Sequence, residues 1–166
     1  DDQPLPPPPA LTLDPPHFTS ITAGLSHSLA LKQNGNAWAW GANYSGRLGD
    51  GTTYQRLTRV QVAMPDDVTF THLAAGDSHS LALDTNGHAW AWGRNNFGQR
   101  GDGGTNDEES APVQVDMPPG VTFTSLAAGK SHSLALDEYG NAWAWGYDGY
   151  EALGDGNTNT QQATPV

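Results

Sequence analysis

Three histidines recur in the same local sequence, His-Ser-Leu-Ala-Leu, and their spacing is the first sign of possible chemistry. His27, His79 and His132 are separated by 52 and 53 residues. Three imidazoles that converge on one point would be enough for an open zinc site, whose ligand atoms lie about 2.1 Å from the metal. One histidine per repeat is, however, what a structural role predicts. We therefore favour histidines that hydrogen-bond the backbone of their own repeat, and we expect no bound metal.

A second recurring group is an aspartate in a Gly-Asp-Gly turn, present as Asp50, Asp102 and Asp155. The middle copy continues into an oxygen-rich run over 102–109, and Ca²⁺ takes about six to eight oxygen ligands. The run lacks the ordered alternation of a calcium-binding loop, so turns capped by the aspartate side chain are favoured over a calcium site. We predict no cofactor of any kind.

The chain shows none of the sequence motifs of the common catalytic sites. It has no nucleophile elbow, no phosphate-binding loop and no carboxylate pair that departs from the repeat. The remaining histidines, His17, His72 and His88, have no evident catalytic partner in the sequence. We expect a protein that is not an enzyme.

Six tryptophans occupy identical places in three copies of an Ala-Trp-Ala-Trp segment. An exposed row of them would make a sugar-binding platform, whereas packing between neighbouring sheets would bury roughly 150–250 Å² of each ring. The regular repetition favours packing, and we predict the same role for the three histidines. The residues predicted to pack between repeats are His27, His79, His132, Trp38, Trp40, Trp90, Trp92, Trp143 and Trp145.

Loop residues that differ between the copies are better candidates for contact with a partner. Variable loops on a regular scaffold often carry binding, and aromatic and arginine side chains often dominate it. Such loops would recognise a protein or a glycan. The predicted partner-contact residues are Tyr44, Phe97, Arg100, Tyr147 and Tyr150.

These residues belong to a unit that aligns without gaps in three places, 18–51, 70–103 and 123–156. Within the second copy, 79–83 and 89–92 alternate large and small side chains, which predicts two strands. An Asn-Gly pair between them predicts a tight hairpin turn. With one strand before this hairpin and a short fourth strand between copies, a unit of about fifty residues is the size of a propeller blade. We therefore predict an all-β fold of three four-stranded antiparallel blades.

The short strand between copies, Val60-Gln61-Val62 in one place, alternates in the same way. We interpret it as the first strand of the blade that follows it. This interpretation predicts a Pro-rich arm over 1–10, blades over 11–59, 60–112 and 113–162, and a leftover first strand over 163–166.

The repeated motif resembles that of the regulator of chromosome condensation family. It reads Gly-x-x-His-Ser-Leu-Ala-Leu, then Gly-x-Ala-Trp-Ala-Trp-Gly, then Gly-x-Leu-Gly-Asp-Gly, and it spans 24–51, 76–103 and 129–156. Arg100 departs from the pattern by replacing a leucine. Asp148 and Glu151 also depart, because they stand where the first copy has Asn and Gly.

The resemblance implies a closed ring, typically of about seven blades, that binds partners through loops on one face. Members of this family include a nucleotide exchange factor, domains of ubiquitin ligases and secreted bacterial enzyme inhibitors. The resemblance therefore implies an interaction protein and leaves its ligand open.

Composition excludes two classes of partner. The chain carries 7 Lys and Arg against 18 Asp and Glu, a net charge of −11, so nucleic acid would be repelled. No apolar run approaches the roughly 20 residues that a membrane-spanning helix needs.

We expect an extracellular or cell-surface protein of a bacterium.

Three blades are fewer than a ring requires, so two blade faces should lack a neighbour. We predict that the chain assembles with copies of itself, as a ring or a head-to-tail fibre. The alternatives are a protein- or glycan-binding propeller module, including an enzyme inhibitor, and a piece of a longer protein. The residues predicted to mediate self-assembly are Leu5, Pro6, Pro7, Pro8, Pro9, Leu11, Leu13, Thr164, Pro165 and Val166.

Overall fold

The first sheet is built from consecutive antiparallel strands in sequence order. The structure is a computed structural model and describes residues 17–106 and 108–166. Blade 1 contains β1 (Phe18–Ala23), β2 (His27–Lys32), β3 (Ala37–Gly41) and β4 (Arg56–Gln61). A single 3-10 turn, Tyr44–Gly46, lies in the loop before β4.

Blades 2 and 3 repeat this order. Blade 2 contains β5 (Phe70–Ala75), β6 (His79–Asp84), β7 (Ala89–Gly93) and β8 (Glu109–Gln114). Blade 3 contains β9 (Phe123–Ala128), β10 (His132–Asp137), β11 (Ala142–Tyr147) and β12 (Gln161–Gln162). In the part of the chain that the structure describes, no helix is long and apolar enough to cross a membrane.

Each blade is organised around the hairpin that the sequence predicts. In blade 2 the registry pairs Leu81 with Ala91 and Leu83 with Ala89, so each large side chain faces a small one. The turn between β6 and β7 contains Gly87, whose φ is 77°. Only glycine adopts this left-handed conformation without steric cost, which explains why each copy places glycine here.

Consecutive blades pack face to face. We call the face that carries the Phe and Trp side chains the front of a blade, and the face that carries the β2-type leucines the back. Leu29 and Leu31 on the back of blade 1 share one buried cluster with Phe70, Leu73 and Trp92 on the front of blade 2. The Phe70 and Trp92 rings stack with centroids 6.3 Å apart. Blades 2 and 3 form an equivalent cluster.

The fourth strand belongs to the blade before it, not to the blade after it. Val60 pairs with Ala39 and Val113 pairs with Ala91, within blades 1 and 2 respectively. The predicted boundaries at 60 and 113 are therefore wrong. The alternation of Val-Gln-Val predicts a strand correctly, but it contains no information about which neighbour supplies the backbone hydrogen bonds.

The same correction applies to the end of the chain. Val166 exchanges two backbone hydrogen bonds of 3.0 Å with Ala144, and Gln162 pairs with Gly146. Thr164, Pro165 and Val166 thus continue the fourth strand of blade 3 and are not a leftover strand for a neighbour. The Pro-rich arm, with Leu5, Pro6, Pro7, Pro8 and Pro9, and the segment with Leu11 and Leu13 lie outside the described residues.

The three blades form an open arc, which confirms the predicted fold class. Within 17–106 and 108–166, the front of blade 1 and the back of blade 3 meet no further blade. Ile21 is 78% exposed on blade 1, whereas the equivalent Leu73 on blade 2 is 7% exposed. Leu136 is 45% exposed on blade 3, whereas the equivalent Leu83 is 4% exposed. These two end faces are apolar surfaces of the kind that usually marks an interaction site.

Deletion of 163–166 should destabilise the protein, because it removes the Val166–Ala144 pair and the 3.0 Å hydrogen bond from Gly103 to Ala163. We expect the melting temperature to fall by about 5 °C or more. Thermal unfolding followed by circular dichroism measures the change, with Asn159→Ala in an exposed loop as the control. An unchanged melting temperature would restore the interpretation of a leftover strand.

Candidate interaction faces

The joints between blades are held by a repeated histidine–serine pair. His27 Nε2 lies 2.9 Å from Ser80 Oγ, and His79 Nε2 lies 3.0 Å from Ser133 Oγ. Ser80 Oγ itself donates to the Arg47 carbonyl at 2.7 Å. Because the hydroxyl has one hydrogen and uses it there, it must accept from the imidazole. The Nε2 atom of His27 is therefore the protonated one.

The partner of the histidines differs from the one we predicted. Each joint histidine donates to a hydroxyl of the next blade and not to the backbone of its own blade. The Nδ1 atoms of His27 and His79 are buried and have no hydrogen-bond partner. An imidazole in this position is neutral, since a second proton on Nδ1 would be a buried charge without an acceptor.

The pKa values agree with this geometry. Burial, with a further contribution from the nearby Arg47 charge, lowers the pKa of His27 from 6.5 to about 4. Burial, followed by the neighbouring His27 and His132, lowers the pKa of His79 from 6.5 to about 3. Within 17–106 and 108–166, no group of three or more His, Asp or Glu side chains is placed to hold a metal ion.

The same carbonyl that accepts from serine also accepts from tryptophan. Trp92 Nε1 donates to the Arg47 carbonyl at 2.8 Å, and Trp145 Nε1 donates to the Gln99 carbonyl at 3.0 Å. The approach is possible because Gly49 has no side chain. A Cβ at Gly49 would lie 2.7 Å from Trp92 Nε1.

Two further backbone hydrogen bonds cross each joint. At the hairpin turn, Phe70 N donates to the Gly35 carbonyl at 3.2 Å. At the fourth strand, Gly51 N donates to the Ser110 carbonyl at 2.8 Å. The joint between blades 2 and 3 has the same two bonds, Phe123 to Gly87 at 2.9 Å and Gly103 to Ala163 at 3.0 Å.

Among the described residues, the two ends of the arc carry the halves of this pattern that have no counterpart. The front of blade 1 presents the groups that the fronts of blades 2 and 3 use, namely Phe18 N, Ser28 Oγ, Trp40 Nε1 and the Leu57 carbonyl. The back of blade 3 presents the groups that the backs of blades 1 and 2 use, namely His132 Nε2, the Gly140 and Ala152 carbonyls and Gly156 N. We call these surfaces the front end and the back end. Each is the complement of the other.

The tryptophans accordingly fall into two sets. Trp92 and Trp145 are fully buried at the joints. Trp90 and Trp143 are partly buried and pack against the same clusters. Trp38 and Trp40 lie half-buried on the front end, where no blade of the described residues covers them.

A buried aspartate organises the hairpin turn of blades 2 and 3. In blade 2 the Asp84 carboxylate accepts from the Asn86 and His88 amides at 2.8 and 2.9 Å and from Trp90 Nε1 at 3.0 Å. In blade 3, Asp137 makes the equivalent bonds. Burial of the Asp137 carboxyl opposes its ionisation, but hydrogen bonds from Asn141, Trp143 and two backbone amides lower its pKa to about 2.

Blade 1 has a lysine in place of this aspartate. Lys32 Nζ lies 5.1 Å from the centroid of the Trp38 ring, and Trp38 Nε1 is buried without a hydrogen-bond partner. The guanidinium of Arg59 lies 5.4 Å from the Phe18 centroid. Between these side chains is a cavity of about 240 Å³ lined by Phe18, Lys32, Trp38, Thr58 and Arg59. We call it the front-end pocket; sequence reasoning did not find it.

Four of the predicted partner-contact residues reach the surface. Tyr44 and Tyr150 are 69% and 90% exposed. Phe97 and Tyr147 are half-buried, with ring centroids 4.7 Å apart, and Tyr147 lies 6.5 Å from Tyr150. The structure thus gathers Phe97, Tyr147 and Tyr150 into one aromatic cluster at the joint between blades 2 and 3.

Arg100 is not available for a partner, and that prediction is wrong. Its side chain is buried and forms a 2.7 Å ion pair with Asp102 and a 3.2 Å hydrogen bond to the Gly93 carbonyl. In the first repeat this position is occupied by the buried Leu48. Arginine can replace it because its guanidinium is paired inside the protein.

The Gly-Asp-Gly aspartates cap turns, as when Asp50 accepts from the Thr52 amide at 3.1 Å.

Four-stranded antiparallel sheets that stack through tryptophan-bearing faces define consecutive blades of a β-propeller. The chain belongs to the family described as the Regulator of chromosome condensation (RCC1) repeat. One family model matches residues 18–47, 70–99 and 123–151, and a second matches 34–83 and 86–136. The resemblance seen in the sequence is thereby confirmed.

The chain is similar to parts of larger proteins. It is 34% identical over 146 residues to the Ultraviolet-B receptor UVR8 of Arabidopsis thaliana, a match that covers 87% of this chain and 33% of the receptor. It is 34% identical over 137 residues to the Protein RCC2 homolog of Xenopus laevis, covering 81% of this chain and 26% of that protein. The chain therefore spans a third or less of these relatives.

Solved structures agree on the fold. The structure of Prp20p from Saccharomyces cerevisiae superposes with a TM-score of 0.81 at 27% identity, covering 90% of this chain and 38% of that chain. Human WBSCR16 superposes with a TM-score of 0.82 at 21% identity, over 90% and 37% of the two chains. The second likeness is one of fold alone.

Ser80→Ala tests the histidine–serine joint. The substitution leaves the buried Nε2 donor of His27 without an acceptor, so we expect the free energy of unfolding to fall by about 1–3 kcal/mol. The matched control is Ser28→Ala, the same change on the front end, which should cost less than about 0.5 kcal/mol at low protein concentration. Urea denaturation measures both. Equal effects of the two substitutions would contradict the role assigned to the joint.

Acidification should destabilise the protein well above the range in which carboxylates titrate. His27 and His79 are neutral when folded, so the unfolded chain binds more protons as the pH falls below 6.5. Between pH 6.5 and 4.5 each histidine should remove about 2–3 kcal/mol from the free energy of unfolding. His79→Gln should reduce this pH dependence, whereas His72→Gln, at an exposed position, should not. Urea denaturation at several pH values distinguishes the two; identical slopes would contradict the assignment.

Proposed function

We propose that this protein is a non-catalytic interaction module that extends end to end with copies of itself, the front end of one copy packing on the back end of the next. The observation that carries the proposal is the hydrogen-bond pattern of the joints. In the part of the chain that the structure describes, every kind of bond made at both internal joints has one unmatched half on the front end and the other on the back end.

The expected contacts follow from the repeat. Ser28 of one copy would accept from His132 Nε2 of the copy before it and would donate to the Ala152 carbonyl. Trp40 Nε1 would donate to the same carbonyl, as Trp92 and Trp145 do at the internal joints. The Phe18 amide would donate to the Gly140 carbonyl, and the Gly156 amide to the Leu57 carbonyl.

Apolar burial would supply the free energy of this contact. Ile21 and Leu57 are 78% and 88% exposed near the front end, and Leu134 and Leu136 are 37% and 45% exposed on the back end. Burying such surface is worth about 25 cal/mol per Å². Because the two surfaces are different, the contact is heterologous and produces either a closed ring or an open fibre.

A second candidate function is binding of another protein or a glycan through the aromatic cluster. Phe97, Tyr147 and Tyr150 occupy positions that differ between the repeats, so blade packing does not require them. Prp20p, similar to this chain, has been studied for binding to Gsp1p and histones, and a structure of yeast RCC1 contains Kap60. The aromatic cluster therefore supports, as a second proposal, that this chain binds a protein.

An extracellular or cell-surface location in a bacterium stays a prediction, which cell fractionation would check.

A complementation experiment tests self-assembly. The unmodified protein should associate in sedimentation velocity over a concentration series. Ile21→Glu disables the front end and Leu136→Glu disables the back end, so each variant alone should be monomeric. A mixture of the two variants keeps one intact end of each kind and should form a one-to-one dimer.

The controls separate this mechanism from a symmetric dimer. Tyr54→Glu, at an exposed loop residue, should associate like the unmodified protein. A symmetric interface would not be rescued by mixing, because it uses the same surface twice. An unmodified protein that stays monomeric at every concentration would overturn self-assembly.

A further inference from the structure

The front-end pocket is a concentration of positive charge on an acidic protein. Only 7 of the residues of the chain are Lys or Arg, against 18 Asp and Glu, yet Lys32 and Arg59 both line this one cavity. Each cation lies over an aromatic ring. Neither forms a salt bridge with a carboxylate of the described residues. The arrangement is that of a site for an anion.

The pocket also contains a hydrogen-bond donor that needs an acceptor. Trp38 Nε1 is buried and unpartnered. The equivalent Trp90 and Trp143 donate to the carboxylates of Asp84 and Asp137, at 3.0 and 3.1 Å. In blade 1 the position of that carboxylate is taken by Lys32, and no residue that the structure describes supplies the missing acceptor.

The internal joints show which segment of a preceding blade lies at this position. The Gly35 carbonyl of blade 1 accepts from the Phe70 amide of blade 2, and Phe70 is the register partner of Asp84. Gln33, two residues before Gly35, belongs to the turn of blade 1 that meets Phe70 of blade 2. At the next joint the corresponding residue is Thr85.

At the back end the same position is occupied by Glu138, which is exposed. At the internal joints this position holds the neutral Gln33 and Thr85, and the blades that follow them carry Asp84 and Asp137. At a joint between copies it would hold Glu138, and the blade that follows would carry Lys32. Glu138 accepts a 3.0 Å hydrogen bond from Thr122 Oγ1, which leaves its second carboxylate oxygen available. The charges at this position are reversed only where the two ends of the arc would meet.

We propose that the front-end pocket is a carboxylate-binding site and that its ligand is Glu138 of a preceding copy of this chain. The inference rests on the proposed end-to-end assembly. Lys32 and Arg59 neutralise the carboxylate, and Trp38 Nε1 donates to it. The site makes the joint between copies distinguishable by charge from the joints within a copy, and electrostatic pairing of this kind favours the correct partner.

The decisive variant is Lys32→Asp, because it separates folding from binding. An aspartate at 32 restores the acceptor that Asp84 and Asp137 provide, so the melting temperature should stay the same or rise. The new carboxylate would however face Glu138, and association should weaken by about tenfold or more. The control is Arg94→Asp, an equal charge change at an exposed position of blade 2, which should leave association unchanged.

The double variant Lys32→Asp/Glu138→Lys exchanges the charges and should recover association. Sedimentation velocity measures all variants. If association is insensitive to these substitutions, the carboxylate site is wrong while end-to-end assembly stands. If Lys32→Asp weakens association and the exchange does not recover it, Glu138 is not the ligand.

A second measurement does not depend on association. The indole N–H resonance of Trp38, assigned with Trp38→Phe, should shift when the monomer is titrated with an acetylated, amidated peptide of residues 137–141. The same peptide with glutamine at Glu138 should cause a smaller shift. Equal shifts, or none, would overturn the pocket as a carboxylate site even if the unmodified protein proves monomeric.

Discussion

The structure depends on one serine hydroxyl at each joint, which donates to a carbonyl of the preceding blade and accepts from its histidine. This double use requires a neutral imidazole, a carbonyl directed at the joint and a close approach of the indole beside it. The glycine at position 49 is needed because a side chain there would displace the tryptophan. The same residues recur in each repeat because the same interface occurs at both joints between blades.

That interface is directional, and its direction explains the chemistry of the two ends. A front meets a back at both internal joints, so the three blades leave one front and one back without a neighbouring blade among the described residues. The hydrogen-bonding groups at the ends cost little while water solvates them, but the exposed Ile21 and Leu136 have no such compensation. A partner built like a blade would satisfy both requirements at once, which supports the proposal of end-to-end assembly.

The positions where the repeat is broken carry the most specific information. Lys32 stands where the other blades have a buried aspartate, and it leaves an indole donor without its acceptor. Phe97 and Tyr147 meet at one joint only. Arg100 breaks the pattern without any such consequence, because Asp102 pairs with it inside the same loop. A departure from the repeat indicates function only when the structure leaves it without an internal partner.

The sequence alone determined the three repeats, the hairpins and the all-β class, because strand alternation and glycine turns are properties of neighbouring residues. It also separated the constant residues of the blades from the variable aromatic ones. The tertiary structure decided which blade owns the fourth strand, which hydroxyl binds His27, that Arg100 is interior and that Lys32 and Arg59 share a pocket. Most of these features join residues that are distant in sequence, from Ala39 and Val60 to His27 and Ser80, which are 53 positions apart. Their pairing is set by which strands and faces come together, for which local sequence carries no signal.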